Sequence, residues 1–99
     1  MPIDVQIQDE LGGVIAQYEG PPLGPALLKL APAGGACFRF ILPWADTTFN
    51  QHQITELKAE LIDATSRTTD VARLRELKSL IEFLELAHGA HTYVKFIGD

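Results

Sequence analysis

The sequence of 99 residues has little of what most chemical sites require, beginning with cysteine. Its single cysteine, Cys37, excludes an intrachain disulfide and a metal site built from several thiolates. Because Cys37 lies in the apolar stretch ACFRFIL, we interpret it as a small buried residue and not as a nucleophile. No apolar run approaches the roughly 18 residues of a membrane span, and the start MPID has no signal-peptide pattern. We therefore expect a cytoplasmic protein with no membrane partner.

Basic residues are also scarce, since 8 Lys and Arg stand against 13 Asp and Glu, for a formal net charge of −5. Nucleic-acid binding depends on Lys and Arg that displace counterions from phosphates, so we expect no nucleic-acid partner. The acidity favours solubility and a basic partner. With 46% hydrophobic and 21% charged residues, the composition is that of one globular domain over residues 1–99.

Recognisable catalytic motifs are missing from the sequence as well. Ser66 and Ser79 lack the G-x-S-x-G context of an activated nucleophile. The glycine pairs at 12–13 and 34–35 form neither a dinucleotide fingerprint nor a P-loop. We therefore predict no catalytic residue and no cofactor.

The first half of the chain does contain an alternation of apolar and polar residues, which is typical of strands. PIDVQIQ alternates in this way, the turn DELGG follows and VIAQYEG resumes an extended run, so residues 3–19 are predicted to form a hairpin. ALLKLA, the turn PAGG and ACFRFIL suggest a second hairpin. Alternate residues of ACFRFIL would point to opposite faces: Phe38, Phe40 and Leu42 to one, and Cys37, Arg39 and Ile41 to the other.

The second half has helical spacing, with two runs of apolar residues at steps of three and four. FNQHQI predicts the first helix start, with Asn50 as the N-cap and Gln53 closing a capping box. Residues 63–70, DATSRTTD, interrupt the pattern, and Thr69 or Asp70 would cap a new helix. One helix over residues 51–88 would be about 57 Å long. We therefore favour a helical hairpin over the alternative, a long helix that pairs with a second chain.

The closing stretch HGAHTYVKFIGD is predicted to end the second helix at His88, to place Gly89 in the left-handed conformation and to form a last strand. Val94 and Phe96 of that strand should lie in the core. The element order is then β-β-β-β-α-α-β. This order predicts an α+β fold in which a mainly antiparallel sheet packs the helical hairpin on one face.

His88 and His91 stand three residues apart, a spacing that binds metals when both residues lie on one helical turn. Because Gly89 lies between them and should end the helix, we predict no metal site there. A small metal-binding or ligand-binding enzyme that uses His88, His91 and nearby carboxylates is the alternative function.

Surface residues are the remaining candidates for function. Trp44 lies beside a proline and ahead of a helix start, where we expect it to cover the edge of the core; the alternative is an anchor for a partner. A face of the sheet with both aromatic and basic residues would be formed by Tyr18, Arg39, Tyr93 and Lys95. This face would either recognise a protein or simply be the solvent-exposed side of an antiparallel sheet. These five residues are the candidate partner-binding set. A free edge strand would also pair with a peptide or a second copy. Together with the apolar breadth of residues 71–87, it predicts self-association as a homodimer.

FNQHQI together with the closing TYVKFIGD resembles a loose set of short, uncharacterised bacterial single-domain proteins. The resemblance covers the last half of the chain and implies a bacterial, cytoplasmic, stand-alone module of no known activity. We therefore predict a non-enzymatic protein-interaction module. A bacterial immunity or inhibitor protein that blocks a basic partner is one specific form of this prediction.

Overall fold

The computed structural model of the chain describes residues 3–98. Strands β1 (Asp4–Gln8) and β2 (Val14–Gln17) form the N-terminal hairpin, and a single helical turn α1 (Pro25–Leu28) and a 3-10 turn (Phe38–Phe40) follow. Strand β3 (Thr47–Phe49) leads into helices α2 (Gln51–Arg67) and α3 (Val71–Leu84), and β4 (Tyr93–Ile97) closes the fold. The predicted α+β class is therefore confirmed.

The last strand lies inside the sheet, whose order is β2-β1-β4-β3 with every neighbouring pair antiparallel. Val5 opposes Phe96 and Ile7 opposes Val94, and all four side chains are buried beneath the helices. The predicted N-terminal hairpin and the predicted core positions of Val94 and Phe96 are confirmed. The other side, the open face of the sheet, consists of half-buried and exposed residues, among them Asp4, Gln6, Gln8, Tyr93 and Lys95.

The two long helices form the predicted hairpin, and their starts are fixed by side-chain caps. Asn50 Oδ1 accepts the N–H groups of His52 and Gln53, both at 3.0 Å, and Gln53 Oε1 accepts the Asn50 N–H at 2.9 Å, which is the predicted capping box. Asp70 caps α3 by accepting the Ala72 N–H at 3.0 Å. The longest dimension of the molecule is 38 Å, too short for the unbroken helix.

Both helices direct one apolar stripe at the sheet. Steps of three and four place the stripe residues on one side of each helix, where they are almost fully removed from solvent. The buried apolar positions are Ile54, Leu57, Leu61 and Ala64 on α2, and Leu77, Leu80, Phe83 and Leu84 on α3. Among residues 3–98, no helix combines the length and apolarity needed to cross a bilayer.

The predicted second hairpin is wrong. ALLKLA forms the single turn α1, with Pro25 at its first position, and ACFRFIL contains the 3-10 turn in place of a strand. Phe38 and Ile41 are buried three residues apart, whereas Phe40 is exposed, so the burial follows a helical step and not the predicted alternation. The strand missed by the sequence is β3, where the apolar alternation is too short to stand out.

The end of α3 also differs from the prediction. The helix ends at Leu84 and not at His88, and tighter bonds from the N–H groups of Leu86 and Ala87 to carbonyls three residues earlier continue its last turn. Gly89 does adopt a positive φ of 94°, and His91 adopts one of 63°. The left-handed residues therefore shape the loop that enters β4 instead of ending the helix.

Candidate partner-binding site

Trp44 lies in an exposed loop, and the expectation that it covers the core edge is wrong. Its side chain is 70% exposed, Phe40 is 47% exposed and Leu42 is 36% exposed. We call residues 37–46 the Trp44 loop. Aromatic residues and arginine are enriched among the interface residues that contribute most of the binding energy.

The first half of the Trp44 loop is held by a carboxylate from α2. Glu60 Oε1 accepts the N–H of Cys37 at 2.8 Å and lies 3.5 Å from the N–H of Phe38. These amides begin the 3-10 turn, where the backbone offers no partner of its own. Gly35 packs so closely on this carboxylate that a methyl group there would collide with it.

The second half of the loop is fixed to the sheet. Thr47 Oγ1 donates to the Phe40 carbonyl at 3.1 Å, so the start of β3 ties back to the 3-10 turn. Gly98 packs on the backbone of Ala45, leaving no room for a side chain at that position. Lys95 Nζ lies 3.6 Å from Asp46 Oδ2. The exposed side chains are thus presented by a backbone that is attached at both ends.

Arg39 adds a cation to the same loop. Its guanidinium carbon lies 4.3 Å from the centre of the Phe40 ring, and its Nε donates to the Gly35 carbonyl at 2.6 Å. A guanidinium over an aromatic face is attracted by the negative charge of the ring face. The pair therefore forms a preformed polar and aromatic contact at the surface.

The five predicted candidates do not share one face. Arg39 and Trp44 belong to the Trp44 loop, and Lys95, on the open face of the sheet, joins this loop through Asp46. Tyr93 lies on the same open face, opposite Gln8. Tyr18 lies on the helix side, where its ring meets Phe83 edge to face with centres 5.6 Å apart. The sequence missed Phe40 and Leu42, because the assumed strand placed them on one face with Phe38, which is buried.

Two titratable groups near these elements have shifted pKa values. Burial raises the pKa of the Cys37 thiol, and the charges of Glu60 and Glu56 raise it further. Burial also raises the pKa of the Tyr18 phenol; a hydrogen bond with Ser79 opposes this rise and the charge of Glu76 adds to it. Both groups are therefore held in their neutral forms.

The histidines lie in two different surroundings. His91 Nδ1 is 3.2 Å from Glu10 Oε2, at the tip of the N-terminal hairpin. His88 and His52 instead line one shallow depression between the start of α2 and the loop before β4. Within residues 3–98, no group of three or more His, Cys, Asp or Glu side chains is arranged to hold a metal ion.

No protein-family model, no curated protein and no solved structure matches this chain.

Proposed function

We propose that this chain is a non-enzymatic protein-interaction module of the bacterial cytoplasm that binds its partner through the Trp44 loop. The exposure of Trp44, in a loop whose backbone is attached at both ends, is the observation that carries this proposal. A loop that is already ordered loses little conformational entropy on binding, so more of the contact energy remains as affinity. Arg39 and Phe40 extend the contact surface beside it.

The partner we propose is a basic protein. The formal net charge of −5 would draw such a partner to the acidic chain, mainly by speeding their encounter. An immunity or inhibitor protein that blocks a basic toxin or enzyme is the specific form of this function. In that form, Trp44 would fill an apolar pocket of the partner.

Affinity capture with matched variants tests the proposal. The tagged wild-type protein, Trp44→Ala and Val71→Ala are each used to capture proteins from a lysate of the native host. Val71 is a suitable control because its side chain is 71% exposed on a different element. We expect a stoichiometric basic protein with the wild type and with Val71→Ala, and its loss with Trp44→Ala. Equal capture by Trp44→Ala would contradict the proposal.

Self-association as a homodimer is proposed alongside. β3 is an edge strand of the sheet, and the exposed Trp44 loop lies directly before it, which supports pairing with a second copy. Light scattering on a sizing column should give about twice the chain mass of 10.9 kDa. A mass that stays at the monomer value over the accessible concentrations would rule the homodimer out.

A small metal-binding or ligand-binding enzyme is the second candidate. The depression shared by His52 and His88, and the contact between His91 and Glu10, are the observations in its favour. Incubation with zinc followed by dialysis should leave stoichiometric zinc if this candidate is correct. A protein that retains no zinc would argue against it.

A further inference from the structure

The N-terminal hairpin leaves a second sheet edge uncovered, on the opposite side from β3. The Tyr18 N–H donates to the Val5 carbonyl at 2.9 Å, which makes Gln6 and Gln17 a non-hydrogen-bonded pair. In an antiparallel ladder the outer residue of such a pair directs its N–H and C=O away from its partner strand. The backbone of Gln17 therefore faces the free edge. A bulge in the pairing adds one residue to β2, where Val14 is 55% exposed and Ile15 is 61% exposed.

A groove lies beside this edge, on the helix side of the sheet. The edge groove lies between residues 16–20 and the outer side of α3, and it is an open depression of about 540 Å³. Ser79, Glu82, Phe83 and Leu86 line it at helical steps of three and four. Leu86 is 59% exposed, and the Tyr18–Phe83 ring pair forms part of the apolar lining. A strand added to β2 would direct alternate side chains into this groove.

The charge around the edge groove is acidic. Residues 1–28 contain four acids and no Lys or Arg, and Glu19 and Glu82 both line the groove. The ion pairs formed by residues 3–98 include neither Glu19 nor Glu82, and the residues that line the groove include no Lys or Arg. Arg75 lines the adjoining depression, which Glu19 and Gly20 also line.

The acidity decides between two occupants of this edge. A second copy would pair β2 with β2, but this strand has the sequence VIAQ and brings no basic residue to the groove, so Glu19 and Glu82 would gain no opposite charge. An extended segment with alternating basic and apolar residues would form backbone hydrogen bonds with the edge strand. Its apolar side chains would contact the apolar lining, and its basic side chains would pair with the carboxylates. We propose that β2 and the edge groove form a second binding site, which takes such a basic, apolar segment of a partner protein as an added strand.

Synthetic peptides test this site without knowledge of the natural partner. A short capped peptide of alternating lysine and valine is titrated into the isotope-labelled full chain, and backbone amide shifts are followed by NMR. A glutamate–valine peptide of equal length tests the charge requirement. A lysine–valine peptide with N-methylated backbone amides tests strand pairing. We expect shifts at residues 14–18 and 79–86 with the plain lysine peptide only, and weaker binding as salt rises.

Variants assign the role of the carboxylates. Glu19→Gln and Glu82→Gln should each weaken lysine-peptide binding by about two- to fivefold, the factor of an exposed ion pair. Glu56→Gln, an exposed acid on α2, is the matched control and should leave it unchanged. Trp44→Ala should also bind the peptide normally, so loss of this site and loss of the Trp44 contact can be told apart. The proposal is overturned by equal binding of the glutamate or N-methylated peptide, by shifts confined to other residues, or by no shifts with the lysine peptide.

Discussion

The contact of Glu60 with the 3-10 turn supports a quantitative prediction about the loop that presents Trp44. Glu60→Ala removes the acceptor of the Cys37 N–H and leaves this amide, in a residue only 1% exposed, without a partner. A hydrogen bond to a charged group contributes about 1.5–3 kcal/mol. Alanine favours the helix by a few tenths of a kcal/mol, which offsets a small part of the loss. We expect Glu60→Ala to lower the free energy of unfolding by about 1–2.5 kcal/mol.

The assay is denaturant unfolding followed by far-ultraviolet circular dichroism, together with thermal melts. For a domain of this size each kcal/mol corresponds to a fall of about 4–8 °C in the melting temperature. Glu56→Ala is the control, because Glu56 is an exposed glutamate one turn earlier on the same helix and should cost less than about 0.5 kcal/mol. Glu60→Gln keeps one oxygen acceptor but loses the charge, so its effect should fall between the two.

Hydrogen exchange then separates a local from a general effect. The amides of Cys37 and Phe38 should lose protection in Glu60→Ala under native conditions, while the amides of β4 remain protected. The reasoning would be refuted if Glu60→Ala and Glu56→Ala were equally stable. It would also be refuted if the Cys37 amide stayed protected in Glu60→Ala.

Three further predictions concern the interior. The pKa of Tyr18 is raised above its ordinary value of 10.0, so its contribution to stability is complete below that pH and is lost as the pH rises through the folded-state pKa. Above pH 10, the free energy of unfolding in urea should therefore fall more steeply with pH for the wild type than for Tyr18→Phe. Parallel curves would contradict this. Burial and raised pKa should keep Cys37 unreactive to iodoacetamide at pH 8 until denaturant is added, and rapid labelling of the native protein would disprove it. Deletion of residues 92–99 removes β4 from between β1 and β3 and should abolish the cooperative unfolding transition seen by circular dichroism, whereas a folded truncated chain would show that the strand is dispensable.

Much of the fold could be predicted wherever local rules and burial agree. The capping box at Asn50 and the cap at Asp70 depend on residues within three positions of each other, so the sequence is sufficient to recognise them. The alternation in PIDVQIQ likewise fixes which side of β1 faces the helices. The central position of β4 did not follow from any local pattern, because strand order depends on pairing between distant segments.

The candidate site was less predictable, since its conformation depends on contacts far apart in the chain. The apolar letters of ACFRFIL fit a strand as well as a 3-10 turn, and the contact that decides between them comes from Glu60, more than twenty positions later. The Glu60 carboxylate accepts hydrogen bonds from amides that a strand would use for pairing. In the resulting turn and loop, the side chains of Phe40, Leu42 and Trp44 are exposed.

By itself, then, the sequence determined the α+β class, the helical hairpin and its caps, and the core face of the first and last strands, because near neighbours and apolar periodicity specify these features. Only the tertiary structure decided that Trp44 faces solvent, that Tyr18 lies apart from Tyr93 and Lys95, and that an acidic groove follows the edge of β2. The physical reason is that a side chain is exposed or buried according to what distant segments place against it.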